Sequence, residues 1–228
     1  FDLGNHPPQG FGFVADKLTI DSPEALTFHP IQAGSNWAGL TAKGVGDINS
    51  DAKGSGARYN TGKTPFELIP LRQLGRSFLF NGGLSPEGDA AARALQFLGD
   101  YQSRARGVDA LYDAMGALGM EEGWGECAQV FDYGKRKYKA WNWAKGMAWS
   151  IPIACAARHL LSIISGEARD LDKPGAPGSQ LPHRGHAYCN FVMLIAYTST
   201  FRQGDDRPEA GLLSSTEAAN DDVSEVQA

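Results

Sequence analysis

Two apolar segments near the end of the chain most constrain its fold. Residues 152–164 are apolar on nearly every side of a helix, and residues 183–201 are apolar except in their first turns. Helices of this kind are buried on most sides. Arg158 and His159 interrupt the first segment, and polar groups in such a position need partners. We therefore predict two core helices, with a phosphate or a neighbouring carboxylate beside Arg158.

The other periodic segments predict more helices. One is expected to begin at Pro65, with Thr64 as its N-cap and Glu67 completing a capping box. Further helical segments start at residue 85, span 108–118 and span 124–138. Glycines at 99 and 107 weaken the segment that starts at residue 85 and predict a bend or split there. We expect an all-α bundle of about four to six helices over residues 57–201. Residues 80–120 are interpreted as an insertion or a lid.

The two ends of the chain differ from this domain. Residues 1–56 are rich in Gly, Pro, Asn and Ser and have only short apolar runs, which predicts loops. Their scattered aromatic residues favour an arm packed on another surface over a disordered one. Residues 202–228 are acidic, rich in Ser and Ala, and poor in large apolar side chains. That composition predicts a disordered tail.

Charge and cysteine content argue against several classes of protein. The formal net charge of -5 disfavours a general nucleic-acid-binding surface. The three cysteines are widely spaced, which indicates reduced thiols in a cytosolic compartment. No apolar run approaches the length of a transmembrane helix, and the N-terminus has no secretory pattern. We expect a soluble intracellular protein with no membrane partner.

The two core helices and the loop between them carry three of the five histidines. Glu167 and Asp170 would share one face if the first helix continued past them. His183, His186 and Asn190 fall on one face of the second helix. Carboxylates so placed suit Mg²⁺ or Mn²⁺, which complete their shells with water and phosphate. The pattern predicts a metal and phosphate site, and the alternative is a helix end whose acidic residues and histidines are solvated.

A glycine-punctuated basic loop precedes the helix expected at Pro65. It carries Arg58 and Lys63, and the N–H groups and dipole of a helix N-terminus attract anions. The glycine spacing does not match a Walker loop. The loop is either a phosphate site or an ordinary turn with solvated basic residues, and the sequence favours neither.

An aromatic turn at residues 140–147 carries Trp141 and Trp143 beside Asn142. With Lys137 and Lys145 close in sequence, the tryptophans would form a stacking wall with cations that reach phosphate. The alternative is that both tryptophans fill the core between helices.

Four sequence blocks, in this order, resemble the N-terminal domain of phage dATP/dGTP diphosphohydrolases and its stand-alone relatives. The blocks are G-A-R-Y-N-T-G-K-T-P at 56–65, Y-G-K-R-K-Y-K-A-W-N-W-A-K-G at 133–146, R-H-L-L-S-I-I-S-G-E-A-R-D at 158–170 and H-R-G-H-A-Y-C-N at 183–190. The resemblance implies an all-α fold and metal-dependent hydrolysis of purine deoxynucleoside triphosphates to monophosphate and pyrophosphate. It also implies Mg²⁺ or Mn²⁺ as cofactor and a place in phage nucleotide metabolism, in the cytoplasm of the infected host cell.

The same resemblance implies a set of site residues: Arg58, Asn60, Lys63, Lys137, Tyr138, Asn142, Trp143, Lys145, His159, Glu167, Asp170, His183, His186 and Asn190. The chemistry of the residues adds Arg158 and divides the set by role. Substrate contacts are expected from Arg58, Asn60, Lys63, Lys137, Tyr138, Asn142, Trp143, Lys145, Arg158, His159 and Asn190. Catalysis is expected from Glu167, Asp170, His183 and His186, and metal ligation from Glu167, Asp170 and His186.

One departure from related enzymes leaves a second hypothesis open. The MazG-type all-α pyrophosphatases use an E-E-x-x-E motif with a later E-x-x-D, and only Glu167-x-x-Asp170 is clear here. Glu121, Glu122 and Glu126 have the residue type without the spacing. The alternative is a catalytically silent phage module that binds nucleotide, or a component of phage assembly or of the virion. A homo-oligomer whose subunits complete one another's sites stays open. The functional hypotheses require the basic loop, the aromatic turn and the histidine-bearing helices to converge in space.

Overall fold

The fold is all-α, as predicted. The computed structural model describes residues 46–60, 63–173 and 177–213. Within these ranges the helices are α1 (Leu71–Asn81), α2 (Pro86–Gln102), α3 (Val108–Leu118), α4 (Met120–Tyr138), α5 (Ser150–Ile164) and α6 (His183–Thr200). Single turns of 3₁₀-helix lie at Phe66–Leu68, Asn142–Lys145 and Arg202–Gly204. The same ranges hold no β-strand, and an isolated bridge pairs Arg169 with Pro182.

One hydrophobic core joins the helices. α5 packs against α2 and α6, α6 also packs against α4 and α3, and α1 packs against α2. Ile153 and Leu160 of α5, and Phe191 and Leu194 of α6, are fully buried, and each such side chain contributes roughly 1.5–3 kcal/mol. The prediction of two core helices is therefore confirmed. No helix in the described part of the chain is long and apolar enough to cross a membrane.

The first helix does not begin at Pro65. Residues 66–68 form a 3₁₀ turn, and α1 begins at Leu71 with Pro70 at its N-cap. Proline has no backbone N–H, and its ring clashes with the carbonyl four residues earlier in a helix. It also biases the preceding residue towards extended backbone, and Ile69 has φ -113° and ψ 152°. The capping-box prediction overlooked this second proline.

The second helix begins as predicted, runs through Gly99 without a break and ends at Gln102, so the predicted split occurs before Gly107, the N-cap of α3. Ser85 Oγ accepts a hydrogen bond from Gly88 N at 3.0 Å, and Pro86 occupies the first turn. Gly99 lies inside α2, where a Cβ would come within 1.9 Å of Arg72 N. Glycine is needed there because α1 crosses α2 at that point, and not because the helix breaks.

Residues 80–120 are not a separate lid. Leu95 and Leu98 of α2 and Leu111 and Met115 of α3 are fully buried in the same core cluster as α5 and α6. Removing this segment would expose one side of the two core helices.

The chain after α5 does not continue as a helix. It passes Gly166, at φ 87°, and then runs back alongside the residues that precede α6. Asp170 N donates to Leu181 O at 2.9 Å, and His183 N donates to Ala168 O at 3.0 Å. The assumption that Glu167 and Asp170 share a helical face is therefore wrong, although the pairing still brings both beside the start of α6.

The predicted disordered tail does not begin at residue 202. Arg207 lies over the Tyr101 ring at 4.1 Å from its centroid, and Asp205 Oδ2 pairs with Arg104 Nη1 at 2.7 Å. Asp206 Oδ1 accepts a hydrogen bond from Ser150 N at the start of α5 at 2.8 Å. These contacts make the described residues after α6 part of the domain. Residues 214–228 lie outside the described ranges. So do residues 1–45, which make up most of the arm predicted at 1–56.

Candidate functional site

A cavity of about 870 Å³ lies where the basic loop, the aromatic turn and the histidine-bearing helices meet. Of the predicted site residues, those that line it are Arg58, Lys63, Lys137, Tyr138, Asn142, Trp143, Arg158, His159, Asp170, His183 and His186. Asn60, Lys145, Glu167 and Asn190 do not line it. The three segments required to converge thus do so in space.

The basic loop is pinned to the aromatic turn through Asn142. Asn142 Nδ2 donates to Ala57 O at 2.9 Å, and Ala57 N donates to Asn142 Oδ1 at 3.2 Å. Gly56 N donates to Gly146 O at 2.9 Å, and a Cβ on Gly56 would lie 2.6 Å from that oxygen. Both the amide oxygen and the amide nitrogen of Asn142 are hydrogen-bonded to Ala57. Asn142 therefore positions the loop and has only one amide hydrogen left to donate to a phosphate.

Lys145 was predicted to reach phosphate, and its geometry argues against that role. Its ammonium donates to Ser50 O and lies 3.5 Å from Asp51 Oδ1, outside the cavity lining. Sequence proximity to the tryptophans was a poor guide, because the 3₁₀ turn points Lys145 towards the loop before residue 56.

Four cationic side chains form one wall of the cavity, which we call the cationic wall: Arg58, Lys63, Lys137 and Arg158. Arg58 Nη2 donates to Asn190 Oδ1 at 2.9 Å, and Arg158 Nη2 donates to Asn60 Oδ1 at 2.8 Å. Asn60 and Asn190 thus aim the guanidinium groups from behind the lining. Both acceptors are neutral, and in the part of the chain that the structure describes no carboxylate pairs with any of the four cations.

The concentrated positive charge shifts neighbouring pKa values. Burial lowers the pKa of Lys63, and the charges of Arg158, Arg58 and Lys137 lower it further. Burial raises the pKa of the Cys155 thiol, but the charges of Arg58, Arg158 and Lys63 bring it below its ordinary value. The wall therefore favours an anion next to it. Cys155, which was not among the predicted site residues, is a side chain able to become one, and its Sγ accepts a hydrogen bond from Arg158 Nη2 at 2.8 Å.

Three histidines form the floor beside the wall. His159 Nδ1 and His183 Nδ1 lie 2.8 Å apart, and the rings of His159 and His186 stack with centroids 4.4 Å apart. Burial lowers the pKa of all three, to about 4 for His186 and well below the ordinary value for His159. The cluster is therefore neutral at pH 7 and able to accept a proton.

The hydrogen-bond network assigns different nitrogens of these histidines to different roles. His183 Nε2 is buried without a hydrogen-bond partner and faces the Glu167 Oε2 carboxylate oxygen at 3.5 Å, and the negative charge of that carboxylate favours the proton on this nitrogen. His183 Nδ1 then accepts from the Nδ1–H of His159, because only one of the two facing nitrogens can carry the proton. This leaves His159 Nε2, which has no hydrogen-bond partner among the described residues, as a bare lone pair.

The two carboxylates predicted to bind metal face different neighbours. Glu167 Oε2 lies 3.2 Å from Lys173 Nζ, whereas Asp170 Oδ2 accepts from Ser179 N at 3.0 Å and lies 3.8 Å from His186 Nε2. Over the described ranges, no three or more His, Cys, Asp or Glu side chains are grouped to hold a metal ion. The predicted set of Glu167, Asp170 and His186 is thus not assembled, and metal dependence stays a prediction.

Ser179 is a contact that sequence reasoning missed. Its hydroxyl lies 2.6 Å from His186 Nε2, and it sits in the Pro/Gly loop before α6, where no periodicity marks it. The long-range pairing of residues 168–170 with 180–183 is what delivers it to the histidine cluster.

Aromatic side chains form the mouth of the cavity. Trp143 packs against Phe131 with ring centroids 5.3 Å apart, and Tyr138 Oη accepts a hydrogen bond from Tyr59 N at 3.0 Å. Trp141 is 73% exposed. The mouth therefore combines a supported tryptophan with a solvent-facing one.

Residues 108–207 match the model of a family described as dATP/dGTP diphosphohydrolase, N-terminal. The match confirms the predicted resemblance over α3 to α6 and the residues just after them, which include the aromatic turn and the histidine cluster. Arg58 and Lys63 lie before the matched segment. No curated protein and no solved structure matches the chain.

Proposed function

We propose that this protein binds a purine deoxynucleoside triphosphate in the cavity and hydrolyses it to the monophosphate and pyrophosphate. The observation that carries the proposal is the cationic wall, whose charges have no carboxylate partner in the described structure. A chain with a net charge of -5 gathers these cations beside three neutral imidazoles. Arg58 and Arg158 are half-buried, and a polyanionic ligand would supply the charge-assisted hydrogen bonds that these guanidinium groups lack.

The volume and polarity of the cavity suit a nucleotide. Its 870 Å³ lies within the roughly 300–1,000 Å³ typical of small-molecule sites. The triphosphate would lie along Arg58, Lys63 and Arg158, with Lys137 nearer the aromatic mouth and the base towards that mouth. The description of the matching family supports the same substrate class.

His159 is the proposed proton acceptor. Its unpartnered Nε2 would take a proton from the attacking water while the oxygen of that water bonds to the α-phosphorus. The bond from that phosphorus to the bridging oxygen breaks, and pyrophosphate leaves. His183 and Glu167 act as positioning residues that hold the His159 tautomer, and the cationic wall stabilises the charge on the leaving group.

The low pKa of His159 is consistent with this role once substrate is bound. Burial and the nearby charges of Arg58 and Lys63 contribute to the shift in the free protein. A bound triphosphate neutralises those charges and favours the protonated imidazole. Substrate binding thus makes the base stronger when it is needed.

Mg²⁺ or Mn²⁺ remains the proposed cofactor. Because the protein offers no three-ligand group among its described residues, the ion would be held by Asp170 together with phosphate oxygens and water, as is usual for Mg²⁺. When bound, it would supply further neutralisation of phosphate charge.

The test is pyrophosphate release from each dNTP with Mg²⁺ or Mn²⁺ and after chelation with EDTA. Release from dATP or dGTP, lost in Lys63→Met and retained in Lys145→Met, would support the proposal. The two lysines are a matched pair, since one lines the cavity and the other pairs with Ser50 and Asp51 outside it. Absence of release with every dNTP and metal would contradict hydrolysis.

A nucleotide-binding module without hydrolysis is the second candidate. It is favoured by the incomplete carboxylate set, because Glu126 is paired with Arg184 at 2.7 Å and Glu167 lies outside the cavity lining. Under this alternative dATP binds the wild type tightly and is recovered intact. A role in the phage particle and assembly into a homo-oligomer are further proposals.

A further inference from the structure

Trp141 combines features that ordinary core packing does not explain. It is 73% exposed, it lines the mouth of the cavity, and its backbone is left-handed, with φ 58° and ψ 11°. Residues other than glycine rarely adopt this backbone conformation, and large side chains are among the rarest there. Such strain clusters at ligand-binding sites, where the surrounding structure maintains it.

The surrounding structure does maintain this conformation. The chain leaves α4 through Lys139, which also has a positive φ, of 71°, so two residues with positive φ lie in the turn that leads to Asn142. Trp141 O then accepts from Ala144 N at 2.9 Å, while the next residue, Asn142, turns inward to hold Ala57. The turn that buries Asn142 is the turn that presents Trp141.

Trp143 is less suited to receive a ligand. Its ring packs against Phe131 and against the hydrophobic core, and its carbonyl accepts from Tyr197 Oη at 2.7 Å. Its centroid lies 6.0 Å from that of Trp141, with the planes tilted by 45°. Trp143 therefore supports Trp141 from the protein side and leaves the outer indole face open.

We infer that Trp141 is the platform on which the nucleobase stacks, an inference that rests on the proposed function. A planar indole presents a π-face to any base, and the two-ring purine overlaps it more fully than a pyrimidine does. Stacking alone does not separate adenine from guanine, because that discrimination requires hydrogen bonds to the base edge. Trp141 therefore sets a preference for purines without choosing between them.

The experiment measures binding of dATP, dCTP and inorganic tripolyphosphate by isothermal titration calorimetry, with kcat and KM for dATP. Trp141→Ala should weaken dATP binding at least about fivefold, should raise KM with little change in kcat, and should leave tripolyphosphate binding unchanged. Trp141→Phe should restore most of the affinity. Trp124→Ala is the matched control, because Trp124 is also exposed, at 46%, but does not line the cavity.

The outcomes separate this inference from the function beneath it. If the wild type binds dATP and Trp141→Ala binds it equally well, the platform is refuted and the proposed function stands. Equal loss of dATP and tripolyphosphate binding in Trp141→Ala, or a change in oligomeric size with dATP binding intact, would assign Trp141 a structural or interface role instead. A wild type that binds neither nucleotide contradicts the proposed function itself.

Discussion

The cationic wall and the segment after α6 both depend on arginines, but they use them in opposite ways. Arg104 and Arg207 both pair with Asp205, and each also donates to backbone carbonyls. Arg58 and Arg158 take neutral acceptors instead. An arginine paired with a carboxylate and carbonyls is engaged in structure, whereas one aimed by neutral groups keeps its charge for a ligand. Partner charge, and not residue type, distinguishes the two regions.

Arg58→Ala should produce the largest effect on activity. Removing one charge-stabilising donor typically costs about 10²–10³ in rate, and we expect a fall of that size in kcat/KM for dATP. The free energy of unfolding should fall by only about 1 kcal/mol, because relief of repulsion in the wall offsets part of the loss of two hydrogen bonds, to Asn190 Oδ1 and Met193 Sδ. The matched variant Arg104→Ala should show the reverse, with lower stability and unchanged kcat/KM below its melting temperature. Similar activity losses in both variants would erase the distinction between the regions.

Asp205→Ala should produce the largest effect on stability. It leaves Arg104 and Arg207 without their carboxylate partner, and breaking such a partly buried pair costs roughly 2–4 kcal/mol. Urea unfolding measures the change. Asp109→Ala is the control, because Asp109 pairs with Arg106 at the surface and exposed pairs contribute about 0–1 kcal/mol. Equal losses in the two variants would contradict a structural role specific to the residues after α6.

Acid should destabilise the site through its neutral histidines. Burial lowers the pKa of His186 to about 4, so between pH 6.5 and pH 4 the unfolded chain binds a proton that the folded chain does not. Stability is therefore lost as pH falls through this window, by about 2 kcal/mol between pH 7 and pH 5 for His186 alone. Urea unfolding at both pH values should show the loss in the wild type and a correspondingly smaller loss in His186→Asn. An unchanged difference in the variant would show that His186 does not titrate as described.

A polyanion should stabilise the protein through the cationic wall alone. Inorganic pyrophosphate at ten times its Kd would add about 1.4 kcal/mol, which raises the melting temperature of a domain of this size by about 3–6 °C. Calorimetric melting should show this rise in the wild type and in Arg104→Ala, but not in Arg58→Ala. A rise that persists in Arg58→Ala would place the anion elsewhere.

Local pattern was enough to predict most of the helices. α3 was predicted with its bounds, and α5 and α6 were predicted to within a few residues from their apolar periodicity. The predicted helix boundaries were wrong where one residue is compatible with two local structures. Gly99 was interpreted as a helix breaker but permits close packing of α1 on α2, and Pro70 moved the start of α1 beyond the apparent capping box.

The site depended on contacts that no periodicity records. Asp170 reaches the histidines because the loop after α5 pairs with the residues before α6, and not because it shares a helical face with Glu167. Asn142 hydrogen-bonds Ala57, and Lys145 hydrogen-bonds Ser50. Both contacts follow from the path of the backbone in a 3₁₀ turn. The neutral state of the histidines follows from their burial together, which only the folded structure reveals.

The way Asn142 holds Ala57 has a consequence for how this protein can diversify. Both hydrogen bonds go to backbone atoms of the loop, so the attachment does not depend on which side chains the loop carries, apart from the glycine required at position 56. The side chains of residues 58–60 can therefore change without loss of the hydrogen bonds that hold the loop to Asn142. Substitution there would alter which anion is received, while the histidines contributed by α5 and α6 remain in place to act on it.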